Sequence, residues 1–307
     1  MSTVKQIRSG AGRTGAAAWR RAVVLALGSV TVALASCATP PTSAPLADWH
    51  DAVLALRDQS TAVFQGVNNL VRQGDIKRAG GMKELRKDDF VPAVTPRAVA
   101  AWNRALDALV DYSASVSTLV DPDREADTGK AYQDLADAIG TTSKSHAFDE
   151  RPGLSGALGD LATRIASQKA SKDAKAIMRR ADPAVRAVLD DMARMLLDDS
   201  GNETTGIAVT ADAEWTVQAA ALRASFLRAI SRADKESIAS QYVDLLDKQE
   251  STQAAILALK HSIRELAAAH GRAAAPGPGG VEKTVAYLRD QARFATKLLS
   301  DVKPASK

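Results

Sequence analysis

Apolar residues recur along most of the chain at alternating spacings of three and four, which marks helices that each bury one face. The first stripe runs Leu46, Trp49, Val53, Leu56, Val63, Val67 and Leu70, with Ser60 inside it, and predicts a helix reaching about Ala79, about 50 Å long. Gly80-Gly81 stops it. Thr95-Pro96 then reads as a cap and first-turn pair for a second helix, whose stripe is Val99, Trp102, Leu106, Leu109, Val116 and Val120. Asp121-Pro122-Asp123 closes that helix, and a shorter pattern follows from Ala131 to Ile139.

Further helices are predicted from Leu154 to Arg180, from Asp182-Pro183 to Asp199, from Ala208 to Ile230 and from Asp234 to Ala269. Pro276 to Gly280 forms a linker, and a last helix carries Val281, Val285, Leu288, Leu299 and Val302. No segment alternates apolar and polar residues over strand length, so no sheet is expected. Helices with one apolar stripe each must bury it against neighbours. The expected fold is all-α, an elongated antiparallel bundle over residues 46–275, followed by a linker and C-terminal helix over 276–307. Stripes of this spacing also suit a dimeric coiled coil.

Composition agrees with helices. Of 307 residues, 46% are apolar but only 4% aromatic, and alanine, which loses least on entering a helix, recurs throughout. The charge changes the picture more. A net charge of +4 would suggest an acidic partner such as nucleic acid, yet Lys5, Arg8, Arg13, Arg20 and Arg21 all precede residue 37, where no acid stands. The remaining 35 basic residues face 36 acidic ones, so the body is nearly neutral and a nucleic-acid partner is not expected.

Behind Arg20-Arg21 lies a weakly polar run from Ala22 to Ser36, shorter than the ~20 residues of a membrane-spanning helix and suited to an export signal. It ends in Leu34-Ala35-Ser36-Cys37, which resembles the lipobox of bacterial lipoproteins: an aliphatic residue, two small residues and the cysteine that is modified. The resemblance implies a signal peptide over 1–36, cleavage between Ser36 and Cys37, and a diacylglycerol and N-acyl group on Cys37. By the sorting rule of enteric bacteria, Ala38 after the cysteine implies the outer membrane, facing the periplasm. Cys37 is also the chain's only cysteine, so no intrachain disulfide competes for it. Residues 37–45 (CATPPTSAP) then form the lipidated cysteine and a Pro-rich tether, about 25 Å long at ~3.1 Å per residue.

Candidate chemistry is sparse. His261 and Glu265 stand four apart with His270 beyond them, but no H-E-x-x-H string completes a metal set, and His50 and His146 lack companions at ligand spacing. Surface or partly satisfied histidines are the expectation, and no cofactor is expected besides the lipid. Asp198 to Glu203 has the composition of a calcium loop, but Gly201 falls fourth rather than sixth. Gly153-Leu154-Ser155-Gly156 lacks both the second glycine and the preceding strand of a nucleophile elbow. Lys169, Lys172, Lys175, Arg179 and Arg180 form the strongest charge cluster, expected in the C-terminal part of a helix, where cations complement the dipole, or else facing anionic lipid. Trp49, Trp102 and Trp215 are expected in the core.

With no nucleophile, base and orienting group to name together, the expected function is non-enzymatic: a membrane-anchored periplasmic module that binds another envelope protein. Two alternatives stand beside it. One is a carrier of an apolar or anionic small ligand, and the other an immunity-type inhibitor of a periplasmic enzyme.

Overall fold

The computed structural model describes residues 44–119, 128–149, 151–167, 173–199, 201, 204–275 and 282–300. They form an all-α bundle of eight helices: α1 (Ala44–Ala79), α2 (Pro96–Leu119), α3 (Thr128–Ser143), α4 (Pro152–Ala166), α5 (Ala174–Leu196), α6 (Ile207–Arg228), α7 (Arg232–Ala274) and α8 (Glu282–Ser300). The only extended pairing among the described residues is one antiparallel bridge between Asp198 and Thr205. None of their helices is long and apolar enough to cross a membrane.

The stripes read in the sequence are the buried faces. Leu46, Trp49, Val53, Leu56, Val63, Val67 and Leu70 of α1 are all buried, as are Trp102, Leu106, Leu109 and Val116 of α2. The two helices run antiparallel, since His50 meets Ser113, Arg57 pairs with Asp107 and Phe64 packs edge-on against Trp102. Thr95 caps α2 as expected, accepting a hydrogen bond from the Ala98 N–H at 3.2 Å. The Asn68 amide pins the preceding loop to α1 by accepting from and donating to the backbone of Val94. After Ala79, the Gly80 N–H reaches back to the Ile76 carbonyl, and the helix stops at the glycine pair.

Two predicted boundaries are corrected. The single helix expected from Leu154 to Arg180 is two, because α4 ends at Ala166, and α5 begins at Ala174 with Asp173 accepting from the Lys175 and Ala176 N–H groups. Asp182-Pro183 in turn opens no helix; α5 runs straight through Pro183. A proline inside a helix costs about 3 kcal/mol. Here Ile177, Met178, Ala181, Ala184, Val185, Val188, Leu189 and Met192 are buried on one face across the proline, and a large apolar side chain contributes roughly 1.5–3 kcal/mol on burial. Several such burials outweigh one lost hydrogen bond. Pro183 itself faces outward, which spares the core its missing donor.

α7, 43 residues and about 65 Å long, is the spine. It packs on α1, α5, α6 and α8. Against α5 it runs antiparallel, with His270 beside Asp182 at one level and Lys260 beside Leu197 at another. The buried Lys260 ammonium donates to the Leu197 carbonyl at 2.8 Å and to Asp199 at 3.0 Å, so α7 caps the C-terminal end of α5 with a cation, the sign the helix dipole favours there. α6 begins at Gly206, whose φ of 113° and close approach to the Leu196 carbonyl, 2.8 Å from where a Cβ would stand, exclude any larger residue.

Candidate functional site

The sequence-predicted site residues scatter. Ser36 and Cys37, and with them the cleavage and lipidation site, lie outside the described residues, as do Lys169 and Lys172. Lys175, Arg179 and Arg180 fall in the first two turns of α5 rather than near a helix C-terminus, which corrects the dipole argument: here the helix dipole opposes the cations. Among the described residues no three His, Cys, Asp or Glu side chains are placed to hold a metal ion. His261 is exposed and meets the Tyr287 ring edge-on.

His270 departs from the expectation of a surface or partly satisfied histidine. It is fully buried and both ring nitrogens are partnered, Nδ1 with Asp182 at 2.9 Å and Nε2 with the Tyr112 hydroxyl at 3.2 Å. An ionised carboxylate only accepts, so Nδ1–H donates to Asp182 and Nε2 accepts from Tyr112. The imidazole packs edge-on against Trp49, whose indole N–H donates to the Leu266 carbonyl at 3.2 Å. Helices α1, α2, α5 and α7 therefore meet at one ring. Gly271, next along α7, lies against the Arg186 guanidinium, and a Cβ there would overlap it. Arg186 in turn donates to Asp182. The set resembles a proton relay, but Tyr112, His270 and Trp49 are wholly enclosed, so its evident work is to lock four helices.

Burial disfavours the imidazolium and holds the His270 pKa below its ordinary value, although the Asp182 hydrogen bond and charge pull the other way. Burial pushes the Asp182 carboxyl up, but hydrogen bonds from His270 and Arg186 outweigh it and hold the carboxyl low. Burial above all raises the Tyr112 hydroxyl, with the Asp182 charge adding to it. A histidine in the unfolded chain takes up its proton near pH 6.5, where folded His270 still refuses one. Stability is therefore complete above about pH 6.5 and declines as pH falls below it, with a further loss below about pH 4 as Asp182 is protonated. The urea midpoint is expected to drop between pH 7.5 and 5.5, and His270→Gln to flatten that slope; equal slopes would remove His270 as its source.

A polar cavity of about 460 Å³ lies where α5 ends and α4 and α6 start, lined by Arg151, Asp191, Arg194 and Asp198. Arg194 is ion-paired with Asp191. Its two cations are thus balanced by two carboxylates.

The remaining feature is the far end of α6 and α7. The two helices run antiparallel: Asp212 accepts from the Gln249 and Gln253 amides at 2.9 and 3.0 Å, and Arg223 donates to the Tyr242 hydroxyl further out. Ser231 accepts from the Asp234 N–H and caps the start of α7. Beyond Gln218 no residue of α6 is buried, and Leu245 is the first buried residue of α7. The hairpin thus projects from the core with Phe226 39%, Leu227 83%, Ile230 98% and Val243 54% exposed. A nearly apolar groove of about 500 Å³ runs between the helices, lined by Leu222, Phe226, Leu227, Ile238, Ala239 and Val243 together with Arg223 and Tyr242.

The reason lies in α6 itself. Trp215, Gln218, Leu222 and Phe226, spaced three, four and four, face α7. Val217, Ala220, Ala224 and Leu227, spaced three, four and three, lie about half a turn round the helix and are all exposed. A helix apolar on both faces belongs in an interior, and this one is not in one. The second stripe is legible in the sequence as a second apolar face of α6. The His270 network is not, because its partners lie 88 and 158 residues away along the chain.

Fold and surface together define an all-α bundle with a projecting apolar helical hairpin. No protein-family model, no curated protein and no solved structure matches the chain.

Proposed function

We propose that the chain is a lipid-tethered envelope protein whose helical body docks another polypeptide through the α6–α7 hairpin. The observation that carries the docking role is the apolar stripe Val217, Ala220, Ala224 and Leu227, uncovered beside an apolar groove. A surface patch of this kind is unfavourable in water, and covering it with a complementary protein surface lowers the free energy. The address is supported by the order of features before the body: cations, an apolar run, Leu34-Ala35-Ser36-Cys37 and a Pro-rich tether. Two or three acyl chains at ~0.8 kcal/mol per buried methylene give stable anchoring at a membrane. The cavity of Arg151 and Arg194 supports a second reading, a binder of an anionic small ligand, but Asp191 and Asp198 already balance its cations, so docking is preferred.

Crosslinking in bacterial cells, followed by isolation of the full chain from membranes, tests both halves. The chain should arrive with an acylated Cys37 at its N-terminus and a crosslinked polypeptide whose yield falls at least about tenfold for Leu227→Asp. A bare N-terminus at another position would overturn the tether. No adduct above that of an untreated control would overturn the docking role.

A further inference from the structure

We propose that the polypeptide seated on the hairpin is a second copy of this chain, the two hairpins packing around a two-fold axis into a four-helix contact. This rests on reading the hairpin as the docking surface, and three observations single out the partner. The first is shape. Ile230 protrudes at the hairpin turn, 98% exposed, and Leu227, 83% exposed, stands in the lining of a groove of about 500 Å³. A protrusion and a receiving groove on the same patch are what an isologous contact requires, because each copy must offer both to the other.

The second is charge. From Thr216 to its end α6 carries Arg223 and Arg228 and no acid, whereas Arg232 to Glu250 of α7 holds five carboxylates against three cations. A two-fold arrangement that lays α6 of one copy along α7 of the other brings the basic helix to the acidic one twice. Over 216–250 five cations stand against five carboxylates, so the hairpin carries no net charge to draw it to an anionic membrane surface.

The third is area. Val217, Phe226, Leu227, Ile230, Val243 and Leu246 all stand 39–98% exposed on this one hairpin, more apolar surface than single scattered residues and of the kind that marks a protein contact. Ala220 and Ala224 at the centre of the outer stripe let two helices approach closely without displacing any larger side chain.

The chain's single cysteine, Cys37, is consumed by lipid in the reading above, so an added thiol reports without interference. In cells treated with a short bismaleimide, the full chain bearing Ala224→Cys should yield an adduct of twice the chain mass. The unsubstituted chain and Arg104→Cys, exposed on α2, should not. Adding Leu227→Asp and Ile230→Asp should reduce the adduct at least about tenfold, and both positions are exposed enough to leave folding intact. Sedimentation equilibrium of the purified full chain in density-matched detergent should show dimers that the double substitution converts to monomers. An adduct of Ala224→Cys with a different protein, without dimers, would overturn self-association and keep the docking reading. Monomers with no adduct at all would overturn both.

Discussion

Cys37→Ala is expected to abolish fatty-acid incorporation altogether and to leave the chain at its precursor mass. The reason is chemical. Lipidation needs a sulfur nucleophile to form the thioether, and a methyl group offers none. In the bacterial lipoproteins this segment resembles, cleavage follows modification, so residues 1–36 should stay attached, with their five cations and apolar run. The variant would be held at the inner membrane by an uncleaved signal rather than by acyl chains. Metabolic labelling with a fatty-acid analogue and intact-mass measurement read both effects. A Cys37→Ala chain that is still trimmed after Ser36 would show that the cut does not depend on the sulfur, and the assignment would fail.

The largest loss of stability is expected from Trp49→Ala. Trp49 is fully buried, meets Tyr112 at 6.0 Å and His270 at 5.1 Å between ring centroids, and donates to the Leu266 carbonyl. Truncating a buried tryptophan to alanine costs about 3–5 kcal/mol, through lost transfer energy and the cavity left behind. For a domain of this size each kcal/mol lowers Tm by roughly 2–4 °C, so a fall of about 10 °C is expected. Trp49→Phe separates the terms by keeping a ring while losing the N–H. It should cost more than Trp215→Phe, because the Trp215 indole N–H is buried without a hydrogen-bond partner. Urea denaturation followed by circular dichroism measures all three. A Trp49→Ala midpoint within the range of surface substitutions would refute the view that α1, α2, α5 and α7 are locked at this ring.

Why some features are legible in the sequence follows from their range. The stripe of α1, the Thr95-Pro96 start of α2 and the Gly80-Gly81 stop depend on residues within one or two turns of each other, and each appears where the pattern puts it. Asp182-Pro183 has the same local form as Thr95-Pro96 and does not start a helix. The difference lies in burial across the proline against other helices and in the use of Asp182 by His270, 88 residues away along the chain. Gln59 makes the same point from the core. It is fully buried with neither amide atom hydrogen-bonded, a choice that no period in the sequence announces and that costs about 1–3 kcal/mol. The outer stripe of α6 is the converse: it was written in the sequence, but only its exposure in the fold gives it meaning.

By itself the sequence determined the helical class and most helix ends, because hydrophobic period and capping act between near neighbours. Tertiary structure alone decided that α5 tolerates a proline, that His270 is sealed between Asp182 and Tyr112, and that one helical hairpin keeps an apolar face in water. Each of these depends on which distant residue occupies the adjoining volume, and neighbours along the chain carry no record of that.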